Sequence, residues 1–347
     1  MQTNTMGWDI GGAHLKAAVV NPHSEVVAVY QCPCQLWKGL DKLHEAIEVI
    51  LAKLPMPVHR HVVTMTGELA DLFSDRDDGV KQILAVMADR LGSDDTLVYA
   101  GQHGFVKLSG VNANHYSVIA SANWLASVTF AAQNIPSGLF VDIGSTTTDI
   151  LAFAQGNVIA QGYTDYERLI SQELIYTGIV RTPVMAVAHT VNDEGREVGL
   201  MAEYFATMSD VYRLTGELNE NHDQAEAADG GEKTVSASAK RLARMVGCDF
   251  YEANLRRWQK LAANLRKSQM NRIQQACVKL QQRSNLPENI PIVGAGIGRF
   301  LVNDIARHSG MAYIDYSDLC SGVLGLPEFD ASDCAPAVAV ACLAASI

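Results

Sequence analysis

The chain has no run of about 18 apolar residues, the minimum for a helical membrane span. It lacks excess positive charge: 27 Lys and Arg stand against 38 Asp and Glu, a formal net charge of -11. A protein of that sign has no general attraction for nucleic acid. The opening residues Met1, Gln2, Thr3, Asn4 and Thr5 lack the basic-then-apolar order of a secretory signal. Seven cysteines are scattered at 32, 34, 248, 277, 320, 334 and 342. That odd, scattered set argues against a disulfide framework. Cys32-Pro33-Cys34 has no second pair at zinc-ligand spacing. These absences imply a protein of the reducing cytoplasm.

What is present begins with apolar residues, 48% of 347, enough for two modest cores or one large α/β body. The most informative stretch is Val141-Asp142-Ile143-Gly144-Ser145-Thr146-Thr147-Thr148-Asp149-Ile150. An apolar run, 138–143, meets a carboxylate and a glycine; a second carboxylate precedes the apolar run 150–154. This pattern predicts strand, tight turn, strand. Gly144 lets backbone approach a ligand, and turn N–H groups with the hydroxyls of Ser145, Thr146 and Thr147 suit phosphate oxygens. Asp142, at the strand end, suits Mg²⁺ held through water. A polar turn with ordinary capping would look similar.

The turn has a partner. Trp8-Asp9-Ile10-Gly11-Gly12-Ala13-His14-Leu15-Lys16 repeats Asp-Ile-Gly and again enters an apolar strand. Gly11 and Gly12 take the backbone role, and His14 either bonds within the turn or sits at the surface. Lys16 either brings charge to a phosphate or stays solvated. A third turn, Val293-Gly294-Ala295-Gly296-Ile297-Gly298-Arg299, follows a strand and precedes a helical stretch. Gly294, Gly296 and Gly298 there suit a backbone contact to a nucleotide or substrate, or a tight strand-to-helix connection.

With these three turns the chain resembles the superfamily of acetate kinase, sugar kinases, heat-shock chaperones and actin. Gly178-Ile179-Val180-Arg181-Thr182-Pro183 and the run 142–149 are similar to its hydantoinase A/oxoprolinase branch. The run 202–216 is similar to proteins linked to tetrahydromethanopterin-dependent one-carbon metabolism. Archaeal relatives there include a methanofuran-biosynthesis synthase joining a furanylmethylamine diphosphate to a tyramine-derived phenol. The resemblance implies an α/β fold with two ribonuclease H-like (actin-like ATPase) domains around a central cleft. Expected boundaries are 1–135 and 136–334, with the tail 335–347 packing back on the first.

Along the chain, the first five residues are expected to fray, and strands are expected at 6–10, 15–20, 25–31, 59–65 and 97–99. Amphipathic spacing predicts helices over 40–54, 78–91 and 121–133. Thr66, Glu68, Asn123 and Trp124 are further candidates for a substrate wall, each with a bland reading as cap or core. Arg181 offers a guanidinium to a diphosphate or a salt bridge. A strand is expected at 184–188 and a helix at 201–215, where Glu203 and Asp210 share a face; the resemblance raises Asp210. Residues 216–234 are acidic and read as a mobile insertion. A long helical zone, 249–283, breaks near Ser268 and carries eight Arg and Lys from Arg256 to Arg283 without an acid. That face is solvated, or meets a second copy of the chain, or lines a channel for an anionic substrate.

Two classes of function follow. The first is an enzyme acting on a phosphorylated or diphosphorylated small molecule; by resemblance, a transferase releasing diphosphate. Asp9 and Asp142 would hold Mg²⁺, and Asp149 or Asp210 would take the phenol proton. An ATP-dependent kinase or amide hydrolase, as in other branches, is the alternative and makes ATP the cofactor. The second class is a non-catalytic nucleotide-binding protein that keeps the fold.

Overall fold

The computed structural model describes residues 4–322 and 329–347. The strands are β1 Thr5–Ile10, β2 His14–Val20, β3 Glu25–Pro33, β4 Arg60–Met65, β5 Thr96–Tyr99, β6 Phe105–Lys107, β7 Ser137–Ile143, β8 Thr148–Ala154, β9 Asn157–Ile159, β10 Leu174–Ile175, β11 Thr190–Asp193, β12 Arg196–Gly199, β13 Ile292–Ala295, β14 Tyr313–Asp315 and β15 Ser321–Gly322. The helices are α1 Asp41–Leu51, α2 Arg76–Leu91, α3 Ala113–Ile119, α4 Asn123–Asn134, α5 Asp165–Ser171, α6 Met208–Thr215, α7 Val235–Arg244, α8 Leu255–Arg283, α9 Arg299–Ser309 and α10 Ala335–Ala345.

Two compact units result. One joins 1–138, 153–167 and 314–347; the other joins 139–152 and 168–313. Residues 153–167 and 314–334, expected with the second part, thus belong with the first. Of the expected fraying, residues 1–3 lie outside the described residues, and Thr5 already belongs to β1.

The first unit is built on a sheet of order β15-β3-β2-β1-β4-β5-β6. β1 runs antiparallel to β2 and parallel to β4. Trp8, Ile10, Leu15, Ala17, Val63 and Met65 bury in one core with Leu43, Ile47 and Ile50 of α1 and Val80 and Ile83 of α2. The tail forms α10, whose residues 335–344 are all buried. It lies against β1, β2 and β4, and Gly7 explains how: a Cβ there would fall 2.0 Å from the Ala337 carbonyl oxygen.

The second unit is built on a sheet of order β10-β8-β7-β13-β14. Helix α8 runs unbroken through Ser268, whose hydroxyl bonds back to the Asn264 carbonyl. Trp258, Leu261, Leu265, Ile273, Cys277 and Leu280 form its buried stripe. Of its eight basic residues, Arg256, Lys260, Lys267, Arg272 and Lys279 are exposed, as a solvated face requires, and three are tied to acids. Arg257 pairs with Asp193, Arg266 with Glu217 and Asp304, and Arg283 with Glu173. Their carboxylates come from other elements, which a one-dimensional charge count misses.

Three further expectations change. Residues 184–186 form a 3-10 turn, since the Val184 N–H bonds to Ala206 and only Pro183 bridges Thr207. α6 starts at Met208, where Thr207 and Asp210 form a capping box, leaving Glu203 outside the helix. The acidic stretch 216–234 is pinned: Asp223 and Glu220 pair with Arg213, Asp229 with Arg241 and Glu217 with Arg266.

His61 on β4 accepts a hydrogen bond at Nδ1 from Trp8 Nε1, and burial lowers its ring from the usual 6.5 to about 4. The unfolded chain therefore protonates first, so this contribution is complete above the unfolded value and lost as pH falls towards 4. Urea midpoints should drop between pH 7 and pH 5, with roughly 2 kcal/mol of the loss arising here. His61→Gln should flatten that part of the curve; an unchanged slope would remove the assignment.

Candidate functional site

In the first unit, the β1–β2 hairpin sets Asp9 opposite Lys16. Its turn is fastened below: Gly11 N–H bonds to the His14 carbonyl, and Cys34 and Leu36 N–H groups bond to the carbonyls of Ala13 and Gly12. The N–H groups of Gly12 and Ala13 meet no acceptor among the described residues. A Cβ on Gly12 would meet open space. Asp9 is only 6% exposed and accepts from Asn123 Nδ2 at 3.2 Å. Thr64, beside Asp9 on β4, buries a hydroxyl that has no partner among the described residues. Lys16 is anchored, its Nζ 2.7 Å from the Asp333 carbonyl oxygen.

A second polar group lies at the start of α4. Ser121 Oγ donates to Glu68 Oε1 at 2.6 Å and lies 3.3 Å from Asp165 Oδ2, which pairs with Arg76 at 2.7 Å. Glu68 is 1% exposed, and burial pushes its carboxyl above the usual range. Glu68 is thus held inside the unit and Asn123 is half-buried, while Trp124 packs its ring on Tyr163 at 6.0 Å.

In the second unit, the β7–β8 turn is closed by the Gly144 N–H to the Thr147 carbonyl. Its other carbonyls face a neighbouring segment: Gly144 accepts from Ile179 N–H, and Ser145 from Val180 and Arg181. Gly178 touches the turn so closely that a Cβ would lie 2.5 Å from Ser145 C and Thr146 N. Thr182 Oγ1 accepts from the Gly178 N–H, and Gln269 Nε2 donates to Thr177 Oγ1 and the Gly178 carbonyl. The N–H groups of Ser145 and Thr146 meet no acceptor among the described residues, and the buried Ser145 hydroxyl has no partner there either. The expected donors Gly144, Ser145, Thr146 and Thr147 therefore form one rigid turn, with the Arg181 backbone fastened to it.

The third turn serves this one. Gly296, at φ +77, has its Cα against Asp142 Oδ1 and the Ile143 carbonyl, where a Cβ would come within 2.2 and 2.4 Å. Gly298 N–H donates to the Ile143 carbonyl, and Gly294 faces the Tyr313 ring. Close packing accounts for all three glycines expected to touch nucleotide.

Two expected bases have structural work. Asp149 pairs at 2.6 Å with Arg168, whose side chain is 2% exposed. Asp210 is buried and accepts from Thr207 N–H, Ser238 Oγ and Arg241 Nε. Those bonds fix its side chain between α6 and α7. The brace by Gly178, Thr182 and Gln269 carried no sequence signal beyond a glycine and two ordinary polar residues. Asp149→Ala should destabilise the fold by about 3 kcal/mol by leaving a buried guanidinium without its carboxylate; thermal melts check this, and an unchanged Tm would return Asp149 to the list of bases.

No helix among the described residues is long and apolar enough to cross a membrane. A family model described as hydantoinase/oxoprolinase matches residues 60–338. The chain is 30% identical over 250 residues to a (4-{4-[2-(gamma-L-glutamylamino)ethyl]phenoxymethyl}furan-2-yl)methanamine synthase of Methanocaldococcus jannaschii, covering 72% of this chain and 73% of that protein. The synthase of the same name from Methanococcus vannielii is 29% identical over 168 residues, 48% of this chain and 75% of the relative. Among solved structures, nucleotide-free acetone carboxylase superposes with a TM-score of 0.57 at 11% identity, covering 99% of this chain and 70% of that one. That likeness concerns the fold, a mixed α/β architecture. By the extent of the family match and by these relatives, the chain belongs to the hydantoinase/oxoprolinase family.

Proposed function

We propose that the protein is a transferase that joins a furanylmethylamine diphosphate to a tyramine- or tyrosine-derived phenol, forming an aryl ether and releasing diphosphate. The observation that carries the reading is the Ser145–Thr146 turn, with N–H groups that find no acceptor among the described residues, in a chain 30% identical to a synthase named for such a phenoxymethylfuran. The reaction's main demand is charge: the furan ring stabilises a developing cation at its methylene, and the leaving diphosphate gathers negative charge. Backbone N–H groups fixed before the reaction stabilise that charge without reorganising. Ser145 and Thr146 are such donors, with Arg181 beside their turn; within the first unit, Gly12 and Ala13 are donors of the same kind.

The residues fit Mg²⁺ bound in its usual way. No group of three His, Cys, Asp or Glu among the described residues is placed to hold an ion. Mg²⁺ commonly rests on one or two carboxylates, water and phosphate oxygens. Asp142, at the end of β7 beside its turn, would be such a carboxylate in the second unit, and Asp9, beside Thr64 on β4, would be one in the first. Mg²⁺ would neutralise diphosphate charge. ATP has no part in this reaction, and we place the protein in the cytoplasm, working on soluble substrates.

The test incubates the purified chain with Mg²⁺, a furanylmethylamine diphosphate and tyramine or tyrosine, with and without ATP. Ether and diphosphate should appear together and need no ATP; a strict ATP requirement, with phosphoryl transfer, would replace this reading by a kinase. Asp142→Ala should abolish turnover with an unchanged melt, and retained turnover would remove Asp142 from the site.

A further inference from the structure

The segments 121–124 and 163–165 of the first unit meet twice. Ser121 reaches Asp165, and Trp124 stacks against Tyr163. One corner therefore combines an aromatic pair, a partly exposed carboxylate and a hydroxyl leading to a buried carboxylate. Tyr163 is 41% exposed and the Asp165 side chain 18%, so both reach solvent. Glu68 is not: it keeps Oε2 without a partner among the described residues, although a buried carboxyl oxygen normally finds one. Ser121 holds a left-handed backbone, φ +51, which a serine adopts at a cost and which aims its hydroxyl at both acids. Two residues on, Asn123 bonds Asp9, tying this corner to the hairpin.

We propose that this corner binds the phenol acceptor and takes up its proton: the ring packs on Tyr163, Asp165 accepts the hydroxyl proton, and Ser121 relays between Asp165 and Glu68. The inference rests on the ether-forming reading above. In the step, the phenol O–H bond breaks and its proton passes to the Asp165 carboxylate. The phenol oxygen forms a bond to the furanyl methylene as the carbon–oxygen bond to diphosphate breaks, and that electron pair leaves on diphosphate. Ser121 then takes the proton from Asp165 on Oγ and passes its own to ionised Glu68, restoring Asp165; after product leaves, the proton returns through Ser121 to Asp165, which reaches solvent and releases it to water, so Glu68 is ionised again. Asp165 and Arg76 are the charged groups facing Glu68, the first raising and the second lowering its affinity for a proton. Burial raises it most, so turnover should climb with pH as Glu68 ionises.

The experiment measures ether formation against pH, and tyramine and inorganic pyrophosphate binding by calorimetry, in the full chain. Asp165→Asn should lower kcat about 100-fold, the usual scale of a lost general base, with pyrophosphate binding unchanged. Glu68→Gln keeps an acceptor for Ser121 and should flatten the acid limb of the profile. Tyr163→Leu should weaken tyramine at least tenfold. Wild-type kcat in Asp165→Asn, or a Glu68→Gln profile superimposing on the wild type, overturns the proposal. If Glu68→Gln does not fold, Asp165→Asn decides alone. Should wild type make no ether, the reading of the reaction fails by itself; tyramine binding that Tyr163→Leu abolishes would still support the phenol subsite, and unaltered binding would end it.

Discussion

The contact between Gly178 and the Ser145–Thr146 peptide leaves no room for a methyl group, and much of the second unit is arranged to keep it. Gln269 reaches from the middle of α8 to hold Thr177 and Gly178, and Tyr212 of α6 hydrogen-bonds Gln269 in turn. From the other side Gly296 and Gly298 press on Asp142 and Ile143. A hairpin turn is ordinarily among the softer parts of a protein. Here its carbonyls are all engaged, so the Ser145 and Thr146 N–H groups, which meet no acceptor among the described residues, sit on a fixed frame. Such preorganisation is what a developing anion requires.

Ion pairing follows the same logic at larger scale. The chain is acidic overall, yet Arg168, Arg213 and Arg241 are almost wholly buried, each against carboxylates. A buried pair gives little net stability, but removing one partner is costly. These pairs therefore define where α6, α7 and the stretch 216–234 sit. They also fix Asp149 and Asp210 in place. Near the two turns stand Asp142 in the second unit and Asp9 in the first, which also holds the Glu68–Ser121–Asp165 group.

The strands around the hairpins, α1, α2 and α4, and the α10 tail follow from hydrophobic periodicity and turn residues, and the structure has them within a few residues. Both Asp-Ile-Gly turns were legible for the same reason: a glycine just after a strand-end acid and before a second apolar strand is a local pattern. The extended helix over 201–215 was not, because apolar spacing continued past a cap set by Thr207 and Asp210. The strand at 184–188 failed because Pro183 denies the ladder a donor.

By itself the sequence determined the local backbone: which stretches pair as strands, where glycine admits close approach, and which acids stand at strand ends. Each of these depends on neighbours within a few residues. Only the tertiary structure decided which basic residue each buried acid meets, because the partner of Asp149 lies 19 positions away and that of Asp210 lies 31 away. It likewise decided that the glycines 296 and 298 support a strand end more than 140 residues earlier. Charge and packing act through space, and the order of residues along a chain does not record which of them will touch.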